Sequence, residues 1–593
     1  MKTILNYLKR IIRLAGDPFE KEWPMILIFT LFGAPYSPQT FLGTPANQGI
    51  EAVTISFAVG YFFAALVTIT KSRAIKLLSY VLVISLALVN IIGIKMWGIG
   101  ISPIMVMLVS QTNQAEAMEF FDAYFSIGKG IGIVAGILLF AFAIYLVERN
   151  KDKINARVAK LAKPIRYGVA TVISIILLIG TATFGYALSY HSFDDINELK
   201  DEKYLKHPTL PSLWIEVLFT TAYQRLSAKE IGVWEKINMG ILEEEGLNES
   251  SNCDNDSLNI VLVIGESYRA KNSQLYGYEK ETTPFQLQAQ KDGKLVAFKD
   301  INSISKRTSD EMRSIFSLSN YSNGELWSRS VCFPMIFKKA GWDVYMFDNQ
   351  NVHDMAEWTI SSAEFLYSPV MKDSCYAYYS KESSQYDLDF LNKEWENVKV
   401  KSAGRNLFIY HLMGQHIDSR LRFPDTPENN RFTVSDYRDR NEEWMTDKGR
   451  QQLADYDNST RYNDKVFEAI VNKHNDSKSI IIYLSDHGDE IYDSRPLYGR
   501  YPLKDADLTS YKEVLFHVPM MIYLSDNYKV GHIDVYDKML SCEGVSGTSD
   551  FLGHMILGLS GIKTKYYKSQ YDILSGSYQA QKRLLMESFS YDD

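Results

Sequence analysis

Cysteine is scarce in this sequence. There are four in 593 residues, Cys253, Cys332, Cys375 and Cys542, and none precedes Cys253. Such a set either forms one or two disulfides in an oxidising compartment, with three connectivities open if both form, or stays as buried thiols. An excess of positive charge is also missing. Lys and Arg number 63 against 71 Asp and Glu, a formal net charge of −8, which argues against a nucleic-acid partner. There is no internal repeat and no low-complexity tract. Beyond about residue 190 the long apolar runs stop, and the remainder reads as a soluble protein. At 593 residues the chain is too long for one compact domain.

What is present before residue 190 is a succession of apolar stretches long enough to cross a bilayer: 23–42, 51–70, 77–94, 130–147 and 167–188. Pro35 and Pro38 interrupt the first. Basic residues gather in alternate connections. Lys2, Lys9, Arg10 and Arg13 precede the first stretch, and Lys71, Arg73 and Lys76 separate the second and third. Arg149, Lys151, Lys153, Arg157, Lys160, Lys163 and Arg166 separate the fourth and fifth. The opposite connections are poor in them. The positive-inside rule therefore puts the N-terminus in the cytoplasm and everything after about residue 189 outside it. The opening residues 1–15 suit an amphipathic helix along the inner surface, and no cleavable signal is apparent.

Residues 189–256 read as a polar bridging segment with a helix near 213–229. From 257 onward apolar strands alternate with helical stretches, with further strands expected at 343–347, 406–412 and 518–524. This argues for an α/β domain with a mostly parallel sheet flanked by helices. The organisation expected is thus 1–188 transmembrane, 189–256 bridging and 257–593 catalytic.

The chemistry sits at strand ends. Residues 479–488, Ser-Ile-Ile-Ile-Tyr-Leu-Ser-Asp-His-Gly, read as a buried strand stopped by Asp486 and His487. The run 259–265 is a second strand, ending at Glu266. Ligands in open α/β sheets bind beyond the carboxyl ends of strands, and two carboxylates with an imidazole lack one ligand of a tetrahedral zinc site. His416 and Asp348 each follow another strand on the same edge. Arg307-Thr308-Ser309-Asp310 reads as a loop entering a helix. Thr308 is either a nucleophile at an anion-favouring helix start or simply an N-cap; spacing does not separate the two.

These residues resemble a known family. Val263-Ile264-Gly265-Glu266-Ser267, the run 275–284 (Leu-Tyr-Gly-Tyr-Glu-Lys-Glu-Thr-Thr-Pro), Gly414-Gln415-His416, Tyr456-Asp457-Asn458-Ser459 and Ser485-Asp486-His487-Gly488 are similar to the bacterial phosphoethanolamine transferases of the alkaline phosphatase and sulfatase superfamily. The likeness covers nearly the whole chain, and looks closest to the branch that decorates the lipopolysaccharide core. It implies an alkaline-phosphatase/sulfatase-like catalytic domain behind a five-helix membrane domain, in the bacterial inner membrane with the catalytic domain in the periplasm. It implies that Glu266, Asp486, His487 and Thr308 bind zinc, with Thr308 also the nucleophile, and that His416 contacts the phosphoryl group or a second zinc. Asp348 would lie near that second position. Thr112 and Glu116, four apart and so on one helix face, would help bind the lipid donor. The donor implied is phosphatidylethanolamine, the acceptor an envelope glycan such as lipopolysaccharide, and the state monomeric.

The chain departs from the lipid A-modifying relatives in three places. Tyr498 stands where they carry a second histidine, so a second zinc is in doubt. Ile304 and Ser314 occupy the positions of their disulfide, and Leu108 replaces an asparagine. A phosphoglycerol transferase of the lipoteichoic-acid-synthase type is the alternative reading. A sulfatase needs a Cys or Ser in C/S-x-P-x-R, and Cys332-Phe333-Pro334-Met335-Ile336 lacks the Arg. A membrane sensor with a dead hydrolase-like domain predicts a broken ligand set, whereas all four ligands are present.

Overall fold

The structure, a computed structural model, describes residues 2–33, 46–97, 100–103, 105–106, 127–160, 163–194, 212–244, 257–350, 364–398, 404–416, 418–496, 498–500, 508–585 and 589–593. The chain divides into two compact units, Met1–Lys229 and Glu230–Asp593.

The first unit is helical: α1 (Lys2–Gly33), α2 (Ala46–Thr70), α3 (Arg73–Trp97), α4 (Ile127–Val158), α5 (Lys163–Leu188) and the start of α6 (Leu213–Glu243). Helix α1 breaks its geometry at Glu22, two residues before Pro24, whose ring cannot join the helical hydrogen-bond ladder. Among the described residues three segments are long and apolar enough to cross a membrane: Ile50–Thr70, Arg73–Ile94 and Gly168–Ser192, with mean hydropathy 2.1, 2.5 and 2.0. Of the other two stretches expected to span, 23–42 runs past the described residues and 130–147 lies within α4. Helices α2 and α5 meet at Gly180, where a Cβ would lie 1.9 Å from the Thr54 carbonyl oxygen. Small residues allow such close approach of helices where no hydrophobic effect drives association.

Connections that the charge pattern assigns to one side of the membrane meet in one ionic cluster. Lys76 Nζ pairs with Glu22 and lies 2.8 Å from Glu148 Oε2, while Lys151 lies 3.5 Å from the same Glu148 oxygen.

The second unit is built on a seven-stranded sheet. In chain order its strands are β1 (Leu258–Gly265), β2 (Leu295–Phe298), β3 (Asp343–Asp348), β4 (Tyr376–Tyr379), β5 (Arg405–His411), β6 (Ser479–Ser485) and β7 (Met520–Leu524). The spatial order is β2-β7-β6-β1-β5-β3-β4. The five strands from β6 to β4 run parallel, and β7 and β2 add an antiparallel edge. Both faces are covered, which is why the central strands read as unbroken apolar runs. Ile260, Leu262 and Ile264 join Ile480, Ile482 and Leu484 in one core with Met312, Ile315 and Phe316. Val261, Val263, Ile481 and Tyr483 face the other way, against Val466, Phe467, Ile470 and Val471 of the long helix Asp447–His474.

Helix α6 extends past the 213–229 expected of it. Its second half packs by Trp234, edge-on to Phe365 at 5.3 Å, and by Asn238, which accepts the Cys332 N–H at 2.8 Å. Cys332 and Cys375 are buried free thiols and Cys542 a half-buried one; Cys253 lies outside the described residues.

Candidate metal and phosphoryl-transfer site

Parallel register brings the chemistry to one edge. Gly265 of β1 stands opposite Ser485 of β6, so the residues that follow, Glu266 and Asp486, emerge side by side. Ile264 stands opposite His411 of β5, and His411 opposite Asp348 of β3. The chain leaves β1 through Ser267 at φ +56°, a left-handed conformation that costs energy outside glycine and is found at functional sites. Its N–H donates to Asp486 Oδ1 at 3.0 Å, and its hydroxyl donates to Glu266 Oε1 at 2.6 Å. The turn after β5 presses on Glu266 from the other side. Gly414 has φ +49°, and a Cβ there would meet the Glu266 carbonyl oxygen at 2.8 Å and its nitrogen at 2.9 Å. Asp387 holds that turn by accepting the N–H groups of Met413 and Gly414, each at 2.9 Å.

Glu266, Asp486 and His487 are fully buried and offer ligand atoms within 4.8 Å of one another. His487 Nε2 lies 3.0 Å from Asp486 Oδ2 and 3.4 Å from Glu266 Oε1. The Nδ1 atom faces the Gly488 carbonyl oxygen at 3.2 Å. A carbonyl only accepts, so Nδ1 is the donor in that contact, and Nε2 is the ring atom that faces the carboxylates and is available to a metal. Asp486 Oδ2 is buried and receives no hydrogen bond. Burial alone would raise the Asp486 pKa, but His487 and Arg500 outweigh it and hold the carboxyl well below its usual range. Convergent acceptors with an orphaned carboxylate oxygen fit a divalent cation, and two carboxylates with one imidazole are donors zinc accepts.

Thr308 completes the group. Its Oγ1 donates to Glu266 Oε2 at 3.0 Å and lies 3.1 Å from His487 Nε2. It is the first residue of the helix α8 (Thr308–Phe316), the next after the short α7 (Pro284–Lys291), and the N-cap position belongs to Arg307. The N-cap reading of Thr308 therefore gives way: its hydroxyl turns to the carboxylate and imidazole instead. One turn on, buried Glu311 accepts the Ser305 N–H and the Ser549 hydroxyl, both at 2.6 Å, which ties down the start of α8. Burial pushes the Glu311 pKa well up.

The other expected residues lie around this centre. Asp348 is buried and accepts from Tyr367, pairs with His411 Nδ1 at 3.0 Å and accepts the Gln350 N–H at 2.8 Å. His416 is half-buried in the turn after β5 and is not one of the three convergent ligands. Tyr498 is buried with its hydroxyl on Ser419. Thr112, Glu116 and Leu108 lie outside the described residues.

Three contributors escaped the sequence reading. Gln350 Nε2 bridges Glu266 Oε2 and the Leu412 carbonyl, both at 3.0 Å. His411 ends β5 behind Asp348. Arg500 follows a two-residue ladder, Glu490–Ile491 against Tyr498–Gly499, which turns the chain back to the site thirteen residues after His487. Its guanidinium contacts His487 Nε2 and pairs through Nε with Asp489 at 3.0 Å. Only His411 left a signal, as the polar last residue of an apolar strand.

The chain is similar to several known proteins. The phosphoethanolamine transferase EptC of Escherichia coli O18:K1:H7 is 25% identical over 467 residues, covering 75% of this chain and 74% of that protein. Among solved structures, the integral membrane lipooligosaccharide phosphoethanolamine transferase A of Neisseria meningitidis aligns over 94% of this chain and 97% of its own, at 17% identity and a TM-score of 0.53, a likeness of fold. The C-terminal periplasmic domain of EptC from Escherichia coli, in complex with Zn, aligns over 56% of this chain and 92% of its own, at 22% identity and a TM-score of 0.47. The sequence profile of the Sulfatase family matches residues 258–562, more than half of the 593. That match opens on the first residue of β1 and takes in every site residue from Glu266 to Arg500: this chain belongs to the sulfatase family.

Proposed function

We propose that this chain is a zinc-dependent phosphoethanolamine transferase of the bacterial inner membrane. It moves phosphoethanolamine from phosphatidylethanolamine, through a phosphorylated Thr308, to a cell-envelope glycan, with lipopolysaccharide core the favoured acceptor. The observation that carries this reading is the placement of Thr308 Oγ1, within hydrogen-bond distance of both Glu266 Oε2 and His487 Nε2. A threonine hydroxyl is a poor nucleophile until its proton is drawn away, and here it sits in the one group of convergent metal-type ligands found among the described residues. The curated relatives that carry the name phosphoethanolamine transferase support the choice of group transferred.

Glu266, Asp486 and His487, with the Thr308 oxygen, would hold the zinc ion. When bound, zinc supplies Lewis acidity that offsets charge on an ionising hydroxyl and on phosphoryl oxygens. The protein's own groups do the rest. Glu266 Oε2 holds the Oγ1 proton and is placed to accept it. Ser267 and Gln350 fix the two oxygens of that carboxylate. As the Oγ1–P bond forms, the P–O bond to diacylglycerol breaks and the leaving oxygen takes a proton, which in this reading His416 supplies. An acceptor sugar hydroxyl then attacks phosphorus and passes its proton to the His416 that gave one up; the Oγ1–P bond breaks and Glu266 returns its proton to Thr308. Asp348 acts at the substrate end through Gln350, and Thr112 and Glu116 bind the lipid donor from the membrane domain. The reading includes five spans over 1–188, a bridging segment over 189–256, a periplasmic catalytic domain over 257–593 and a monomeric chain. Three candidate spans and the shared ionic cluster of Glu22, Lys76, Glu148 and Lys151 support that topology.

The test is diacylglycerol release by purified full-length protein offered phosphatidylethanolamine or phosphatidylglycerol. Release from phosphatidylethanolamine, abolished by Thr308→Ala, is expected. Preference for phosphatidylglycerol would make it a phosphoglycerol transferase, and undiminished release by Thr308→Ala would remove Thr308 from the mechanism. Mass spectrometry of lipopolysaccharide from cells with and without the chain identifies the acceptor.

A further inference from the structure

Arg500 belongs to none of the motifs that mark the site, yet it stands at its rim, against His487 and Asp489. Its side chain is 20% exposed, so it neither dissolves into the core nor floats in solvent. Three contacts fix it. Nε pairs with buried Asp489 Oδ1 at 3.0 Å, Nη1 donates to the Lys306 carbonyl at 3.2 Å, and Nη1 also touches His487 Nε2. Nη2 lies 4.0 Å from Glu266 Oε1, beyond hydrogen-bond reach. Lys306 lies two residues before Thr308, so the guanidinium is anchored to the loop that delivers the nucleophile. Thr308 Oγ1 and Arg500 Nη1 both reach the same ring nitrogen, His487 Nε2. The two atoms are therefore no farther apart than two hydrogen bonds that share an atom.

That proximity decides what Arg500 can do. A phosphorus atom in bonding distance of Oγ1 carries its non-bridging oxygens next to the guanidinium. Charge grows on those oxygens as the P–O bond to the leaving group lengthens. Guanidinium is planar, stays charged, and presents parallel N–H donors that match two oxygens of one phosphoryl group. Glu266, Asp486 and Asp489 crowd the site with carboxylates that would repel a phosphodiester. A cation fixed at their rim offsets that repulsion where the substrate arrives.

We propose that Arg500 is the phosphoryl-binding residue of this site: its guanidinium holds the non-bridging oxygens of the transferred group, and its pairing with Asp489 aims it. This deepens the transferase reading and rests on it for the identity of the substrate. The competing role is a plain counter-ion for Asp489. Arg500→Lys separates the two, because lysine keeps the charge and loses the fork.

The experiment uses zinc-loaded, full-length wild type, Arg500→Lys and Arg500→Gln in detergent. Zinc content, thermal midpoint, inorganic phosphate affinity and diacylglycerol release from phosphatidylethanolamine are measured for each. Zinc content and midpoint for Arg500→Lys are expected to match wild type. Phosphate binding should weaken about tenfold or more, and turnover should fall about 100-fold, the cost of removing one transition-state donor. Arg500→Lys that binds phosphate like wild type, or turns over within about threefold of it, overturns the proposal. So does a loss that follows lost zinc. If wild type released no diacylglycerol, the transferase reading would fail, while the phosphate arm would still judge Arg500. Crystals of the zinc-loaded wild type soaked with orthovanadate give a check free of variants. A vanadate oxygen on Arg500 Nη1 or Nη2 is expected, and a guanidinium that makes no contact with it contradicts the proposal.

Discussion

Gly414 shows how little room the site leaves. Its backbone passes so near Glu266 that one added methyl group must displace either the turn or the ligand. Its φ of +49° adds strain for any other residue. Gly414→Ala is therefore expected to cost about 1–3 kcal/mol of stability and about 10–100-fold in zinc affinity. Thermal melting and zinc titration of one preparation read both. His474 carries a different kind of residue-scale consequence. It is buried at the end of the Asp447–His474 helix, and its Nε2 accepts the Tyr410 hydroxyl at 2.9 Å. Burial, helped by Lys473, lowers its pKa to about 3. The unfolded chain takes up a proton near pH 6.5 while the folded chain does not, so this stability is full above that pH and drains as pH falls. Between about pH 6 and 4 wild type should lose about 1.4 kcal/mol more per pH unit than His474→Gln, by denaturant titration. Parallel pH dependences would contradict it.

At the scale of the element, α8 is the part whose placement matters most. Its first residue is the proposed nucleophile, and Glu311 pins it through Ser305 and Ser549. Burial raises the Glu311 pKa well above its ordinary value, and its contacts to Ser305 and Ser549 are ones an amide oxygen can also accept. Glu311→Gln should keep most activity, whereas Glu311→Ala should cut turnover about tenfold or more without loss of zinc, as a misplaced nucleophile does. Turnover and zinc content measured together decide it. The strands β1 and β6 were legible because each is a continuous apolar run halted by ligands. The strand expected at 518–524 is there as Met520–Leu524, but it pairs antiparallel to β6, a direction the pattern does not encode. The four-residue β2 beside it is too short to show a period. Helix α6 outran its expected end because Trp234 and Asn238 are held by tertiary partners rather than by an amphipathic repeat. Arg500 and Gln350 were illegible for the same reason: neither ends a long apolar strand, and only the folded chain shows what they touch.

For the whole molecule, the charge pattern before residue 190 predicts which ends of the helices share a side. Glu22, Lys76, Glu148 and Lys151 come from connections assigned to the cytoplasm, and they meet. Reporter fusions should find 71–76 and 149–166 cytoplasmic and the C-terminus periplasmic; a cytoplasmic C-terminus would overturn the topology. The candidate metal ligands Glu266, Asp486 and His487 were legible as residue types at strand ends, whereas their convergence depends on the parallel register of β1 and β6. The measurement that bears most directly on the account is peptide mass spectrometry of full-length wild type, quenched during turnover of phosphatidylethanolamine. The account predicts phosphoethanolamine on the peptide that contains Thr308, at Thr308 itself. An adduct on any other residue, or turnover with no adduct trapped on Thr308, would contradict it.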